Sequence, residues 1–119
     1  MVWNRKLRAI MKKILPLTIA IIAGSALSAG AADAKINWDK LCAKCHGKEG
    51  KGETTTGKKW GAKDYTDAKV QAEMQDDAAF KAIKEGRKAK DGKTLMKPAE
   101  ALSDDDIKAL VAHMRTFKK

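Results

Sequence analysis

The sequence predicts an all-α fold of about four short helices, on three observations. Apolar residues recur at three- and four-residue spacing in several short windows. No run of alternating apolar and polar residues makes a convincing strand, and polar stretches rich in glycine and lysine separate the windows. The first helix is placed from about Ile36 to Cys45, with Trp38, Leu41 and Cys45 on one face at i, i+3 and i+7. Gly47, Gly50 and Gly52 break it. From Gly47 to Tyr65 the chain has four glycines up to Gly57, three consecutive threonines and no helical period, and reads as a long loop. Such a loop is uncommon in a compact domain unless it wraps something functional. Thr66 is expected to cap a second helix carrying Val70 and Met74. Asp76 or Asp77 caps a third, with Phe80 and Ile83 inward and Gly86 as its stop. Residues 87–102, lysine-rich with Gly92 and Pro98, read as another loop. Ser103 opens the clearest helix. Ser103 and Asp106 stand at capping-box spacing, and Asp104 to Asp106 suit the positive end of the helix dipole. Ile107, Leu110, Val111, Met114 and Phe117 form its apolar stripe.

At 119 residues the chain holds one small domain, and its first stretch reads as separate from it. Arg5, Lys6, Arg8, Lys12 and Lys13 precede an apolar, small-residue run from Ile14 to Ala29, followed by Ala29-Gly30-Ala31. A basic region, an apolar region and an A-x-A site in that order mark a secretory signal peptide. The expected division is therefore 1–31 signal peptide, with cleavage alternatively after Ala34, and 32–119 domain. A spanning helix needs about 20 apolar residues, and this run is shorter and contains Pro16. No stable membrane insertion is expected once the signal is removed.

The leader carries five of the 25 bases and none of the 15 acids, so its removal lowers the net charge from +10 to +5. That balance favours acidic partners or anionic surfaces. Nucleic-acid binding is excluded as a reading, because no face interleaves basic residues with aromatics.

Cys42-Ala43-Lys44-Cys45-His46 is C-x-x-C-H, the haem-attachment pattern. Two thiols three residues apart on a helical turn can add across the vinyl groups of one porphyrin edge, and the adjacent His46 is then held as proximal ligand. A thioredoxin-like C-x-x-C would follow a strand, and none is evident. Zinc needs four ligands, and only His113 remains outside the cluster as a further histidine or cysteine. A single haem c, bound through Cys42 and Cys45, also answers the thin core of so short a domain, since a flat apolar body would fill its centre.

The second axial ligand decides what the iron does. The candidates are Met74, Met96, Met114 and His113. Met74 and Met114 fall on helical stripes, where methionine is usually core filling. Met96 lies in an irregular segment, Thr94-Leu95-Met96-Lys97-Pro98, that could reach over a haem face, with proline restricting the backbone just beyond. Met96 is taken as the distal ligand, with His46 and Met96 as the metal pair.

With those residues placed, the chain resembles the small bacterial class I cytochromes c over about Ile36 to Phe117. The resemblance rests on Cys42-Ala-Lys-Cys-His46, Gly50-Lys-Gly52, Phe80-x-x-Ile-x-x-Gly86, Met96-Lys-Pro98 and Leu102-Ser-Asp-Asp-Asp-Ile107. It implies a small cytochrome c-like fold in which N- and C-terminal helices cross, with Trp38 facing Leu110 and His113. It also implies a low-spin iron held by His46 and Met96. A backbone carbonyl at Lys58, where the family often has proline, would accept a hydrogen bond from the proximal histidine. Trp60 would lie against the haem and Thr94 would bond a propionate.

The function implied is that of a periplasmic monohaem electron carrier, not an enzyme, monomeric, exchanging single electrons with redox proteins that present acidic docking surfaces. Lys81, Lys84, Arg87, Lys88, Lys90, Lys93 and Lys97 against Glu85 and Asp91 would steer such partners. The alternatives are a haem enzyme or sensor with an open or labile sixth site, and an electron-transfer subunit of a larger oxidoreductase.

Overall fold

The computed structural model describes residues 25–119; residues 1–24, and with them most of the expected signal peptide, lie outside the described residues. The described residues open on one helical run in three pieces: α1 (Ser25–Asn37), a π-helical turn (Trp38–Cys42) and α2 (Ala43–His46). Then follow α3 (Thr55–Trp60), α4 (Ala68–Glu73), α5 (Asp76–Glu85), the strands β1 (Arg87–Lys88) and β2 (Thr94–Met96), and α6 (Asp104–Arg115). The all-helical class holds, with one small exception. β1 and β2 pair antiparallel, Arg87 against Met96 and Lys88 against Thr94, inside the stretch expected to be loop.

The π-helical turn changes which side chains face inward. The Ala43 N–H donates to the carbonyl of Trp38, five residues back, and widens the turn. The expected face of Trp38, Leu41 and Cys45 is therefore broken. Trp38 is buried, but Leu41 swings out to 54% exposure, and Cys42 packs against the core instead. The other boundaries shift for local reasons. The loop after Gly47 contains α3, begun by the Thr54 hydroxyl accepting from the Gly57 N–H at 2.8 Å. Asp67, not Thr66, caps α4, accepting from the Lys69 and Val70 N–H groups. Gln75 precedes α5, and Asp76 and Asp77 lie in its first turn, where acid suits the dipole.

α6 is built as its sequence states. Asp106 N–H donates to Ser103 Oγ at 3.1 Å and Ser103 N–H donates to Asp106 Oδ2 at 3.0 Å, a complete capping box. Its stripe, Ile107, Leu110, Val111 and Met114, is buried and forms one core cluster with Trp38 and Ile83. α1 packs against α6, as the resemblance implies, and α5 packs on α6 as well. The Trp38 ring lies 5.0 Å from Phe117 and 6.0 Å from His113, so His113 is a packing residue of this contact.

The segment after the cysteine motif also meets the residues that follow α6. Gly50 has φ +72°, and a Cβ there would stand 2.6 Å from the Phe117 ring. The Tyr65 N–H donates to the Gly50 carbonyl at 2.8 Å, and the Lys119 N–H to the Thr66 carbonyl at 3.2 Å. The long segment after the cysteine motif is thus closed by the last residues of the chain.

Candidate functional site

The helical run α1–α2 delivers the whole motif to one place. Cys42 ends the π-helical turn, and α2 carries Cys45 and His46. Three consecutive carbonyls then fix this segment. The Thr54 hydroxyl donates to the Cys45 carbonyl at 2.5 Å, the Gly52 N–H to the His46 carbonyl at 2.8 Å, and the Trp38 Nε1–H to the Gly47 carbonyl at 3.0 Å. Trp38 and Tyr65 each hold their rings 5.7 Å from the His46 imidazole. The motif is clamped on its backbone and packed on its ring.

These side chains open onto a cavity of about 600 Å³, within the range of about 300–1,000 Å³ typical of small-molecule and cofactor sites. Cys42, Cys45, His46, Trp60 and Met96 all line it. Thr94 does not: it is exposed, paired with Lys88 in the hairpin, and outside the lining. Gly86 makes the position of Met96 possible. With φ +76°, it brings its backbone under the Met96 carbonyl, where a Cβ would stand 2.5 Å away. Trp60 is 40% exposed at the cavity wall, with Lys59 Nζ 5.0 Å from its ring centre.

Sequence reasoning missed part of this lining. Met74 and Met114 line the cavity as well as Met96. Their helical spacing suggested core filling, but the cavity is the middle of the core, so both descriptions apply to the same atoms. Tyr65 and Arg87 are also there. Arg87 counted only as one base in a basic run, and no local pattern sets it apart. Tyr65 had one usable signal, as the lone tyrosine at the end of a glycine-rich loop.

Burial sets the protonation of the site. It pushes the Cys42 thiol up to about 11, with the neighbouring Cys45 adding to the effect. Burial holds His46 below the usual histidine range, so the imidazole is neutral with a lone pair to give. Tyr65 is pushed above the ordinary phenol range, again by burial, and stays protonated.

The His46 Nδ1 is buried with no hydrogen-bond partner. The bond expected from this ring to the Lys58 carbonyl is not made. Lys58 lies in the last turn of α3, which Thr54 caps and which closes on Gly61.

The donor set fits one covalently held haem: two free thiols at the right spacing, a neutral imidazole beside them, and thioethers in the same largely apolar enclosure. Among the described residues no group of three or more His, Cys, Asp or Glu side chains could hold a separate metal ion.

The family model described as cytochrome c matches residues 31–118. Two solved structures are similar to this chain. The KustC0563 c-type cytochrome is 34% identical with a TM-score of 0.63, the match covering 73% of this chain and 99% of that one. A mutant of Kustc0563 with one tyrosine replaced by phenylalanine is 33% identical with a TM-score of 0.60, covering 72% of this chain and 99% of that one. Among curated proteins, no relative matches.

Proposed function

The chain belongs to the cytochrome c family, and from that premise we propose that it is a periplasmic, monomeric, single-haem carrier of electrons whose iron is held by His46 and Met96. Family membership brings covalently attached haem c, a role in electron transfer, and redox proteins as partners. The finer reading rests on one observation: Cys42, Cys45, His46 and Met96 line the same cavity.

In this reading Cys42 and Cys45 form the two thioether links and keep the cofactor from being lost by dilution outside the cytoplasm. The bound haem supplies one-electron chemistry through its iron. His46, neutral by burial, would give its lone pair to the iron, and Met96 would give it a thioether. With both side chains bound, the group would pass electrons without taking up a substrate, which separates a carrier from an enzyme. Methionine as ligand raises the potential relative to two histidines. Trp38 and Tyr65 orient the imidazole by ring packing, since Nδ1 has no acceptor. Apolar walls from α5 and α6 keep water from the centre.

Export follows from the expected signal peptide, cleaved after Ala31 or Ala34. No helix among the described residues is long and apolar enough to cross a membrane. The basic run from Lys81 to Lys97 flanks Met96 and attracts acidic partners, an effect that weakens with salt.

The deciding experiment compares Met96→Ala with Met74→Ala and Met114→Ala in the haem-loaded protein. The expected result is that only Met96→Ala loses the low-spin methionine spectrum and lowers the midpoint potential. Loss of that spectrum in Met74→Ala with Met96→Ala unchanged moves the ligand to Met74. A wild-type ferric spectrum that is high-spin, with carbon monoxide binding to the reduced form, replaces the carrier by an enzyme or sensor with an open sixth site.

A further inference from the structure

Among the described residues, Gln71 is the one polar side chain that is buried, at 4% exposure. A buried amide is costly unless its donors and its acceptor are matched. The partners of this one come from outside its own helix, α4. Gln71 Nε2 donates to the Tyr65 carbonyl at 2.7 Å and to the Met114 carbonyl at 2.8 Å. Gln71 Oε1 accepts from Arg115 Nη1 at 3.3 Å. Carbonyls only accept and a guanidinium only donates, so the amide has a single orientation here.

Arg115 completes the arrangement from the last turn of α6. Its Nη1 donates to the Gln71 carbonyl at 2.5 Å and its Nη2 to the Met74 carbonyl at 2.6 Å. Nε and Nη2 both reach Asp76 Oδ1, at 3.0 and 2.6 Å. α4 is six residues long, and its last carbonyls find no N–H within the helix. Arg115 supplies the missing donors. Its planar fork holds two carbonyls and a carboxylate in one fixed geometry, which a flexible ammonium does not.

Neither Gln71 nor Arg115 lines the cavity, yet three of the carbonyls they hold belong to residues that do: Tyr65, Met74 and Met114. Tyr65 is also held through its N–H, on the Gly50 carbonyl, and its ring lies 5.7 Å from His46. Met74 ends α4 at the turn into α5. One polar pair behind the wall therefore reaches it in three places.

We propose that Gln71 and Arg115 are positioning residues of the haem site: they set where Tyr65, Met74 and Met114 stand, and so keep water and small ligands out of the cavity. This inference rests on the carrier reading with His46 and Met96, and adds the residues that tune it. A dry enclosure penalises the more highly charged ferric state, so a wall held shut keeps the midpoint potential high. Loosening the wall lowers the potential and opens the iron to external ligands.

The test uses the haem-loaded protein and two substitutions that leave the net charge unchanged. Gln71→Met removes both amide donors at similar volume, and Arg115→Lys keeps the cation but loses the fork. Imidazole added to the ferric protein probes the wall, since it competes with the thioether for iron. Gln71→Met is expected to lower the midpoint potential and to raise imidazole affinity about tenfold, the scale of one net hydrogen bond. Arg115→Lys shifts both in the same direction by less, because Tyr65 and Met114 keep their donor. Ser103→Ala and Leu110→Ala serve as controls, since both weaken the fold at residues that do not line the cavity. Both are expected to keep the wild-type potential and imidazole affinity.

Lower stability in Gln71→Met and Arg115→Lys, with potential and imidazole affinity at wild-type values, makes the pair structural only and overturns the proposal. So do controls that move the potential as far as Gln71→Met does. Should Gln71→Met fail to load haem, Arg115→Lys decides by the same two readouts. A wild-type protein without a low-spin methionine spectrum sinks the ligand reading and this proposal together. That spectrum with unmoved variants sinks this one alone.

Discussion

Where α1 meets α6, side chains are held by other side chains. Trp38, Ile107 and Leu110 are at most 2% exposed, and the rings of Trp38, His113 and Phe117 lie within 6.0 Å of one another. Around the cavity the arrangement is different. α3 and α4 are six residues each, β2 is three, and Trp60, Met74, Leu95 and Met96 are exposed or half-buried. The first region is complete in itself, because a periodic apolar stripe finds a matching partner. The second is a set of short elements pinned at their ends by backbone hydrogen bonds and shaped around a guest. The difference teaches that this chain divides its labour: one half supplies stability, and the other spends its sequence on positioning ligands.

The most severe way to probe that division is to prevent attachment. Cys42→Ser with Cys45→Ser is expected to abolish covalently bound haem entirely, as read by haem staining of the denatured chain. Hydrogen exchange should then show the cavity segments open while α1 and α6 retain protection; equal protection in both regions would erase the contrast. Next in size is Leu110→Ala, which removes a fully buried side chain and should cost about 2–5 kcal/mol in denaturant unfolding. Leu95→Ala, at a half-buried position, should cost clearly less. A smaller loss, about 1 kcal/mol, is expected for Ser103→Ala, which removes one bond of the capping box.

The smallest effect concerns pH. Burial lowers the pKa of His113 from its ordinary 6.5, so the folded chain binds its proton more weakly than the unfolded one. The sign follows: stability from the neutral ring is fully present above about 6.5 and is lost as pH falls toward the folded value. His113→Phe should flatten that slope between neutral and mildly acidic pH, measured as the unfolding midpoint, without touching the haem spectrum.

The region of crossing helices was the legible one. The stripe on α6, its Ser103–Asp106 cap and the inward face of Trp38 all follow from three- and four-residue spacing, which local sequence records directly. What spacing does not record is a change of helix type. Nothing in Trp38-Asp-Lys-Leu-Cys42 announces a five-residue hydrogen bond, so Leu41 was expected inside and stands outside. α3 was hidden for another reason: Thr55-Thr-Gly-Lys-Lys-Trp60 is weak helix-forming sequence, held by a cap whose hydroxyl is also bonded to the distant Cys45 carbonyl. The hairpin of Arg87 and Met96 is likewise non-local pairing without alternation. At the site, the chemistry of Cys42, Cys45 and His46 declares itself by residue type. Tyr65, Met74, Arg87 and Met114 reach the cavity through tertiary placement, which their neighbours in sequence do not encode.

The contact between Gly50 and Phe117 ties the two regions together. A side chain at Gly50 would have to displace the Phe117 ring. That ring also stands 5.0 Å from Trp38, so one substitution in the bend after the attachment motif would loosen the crossing of the helices as well.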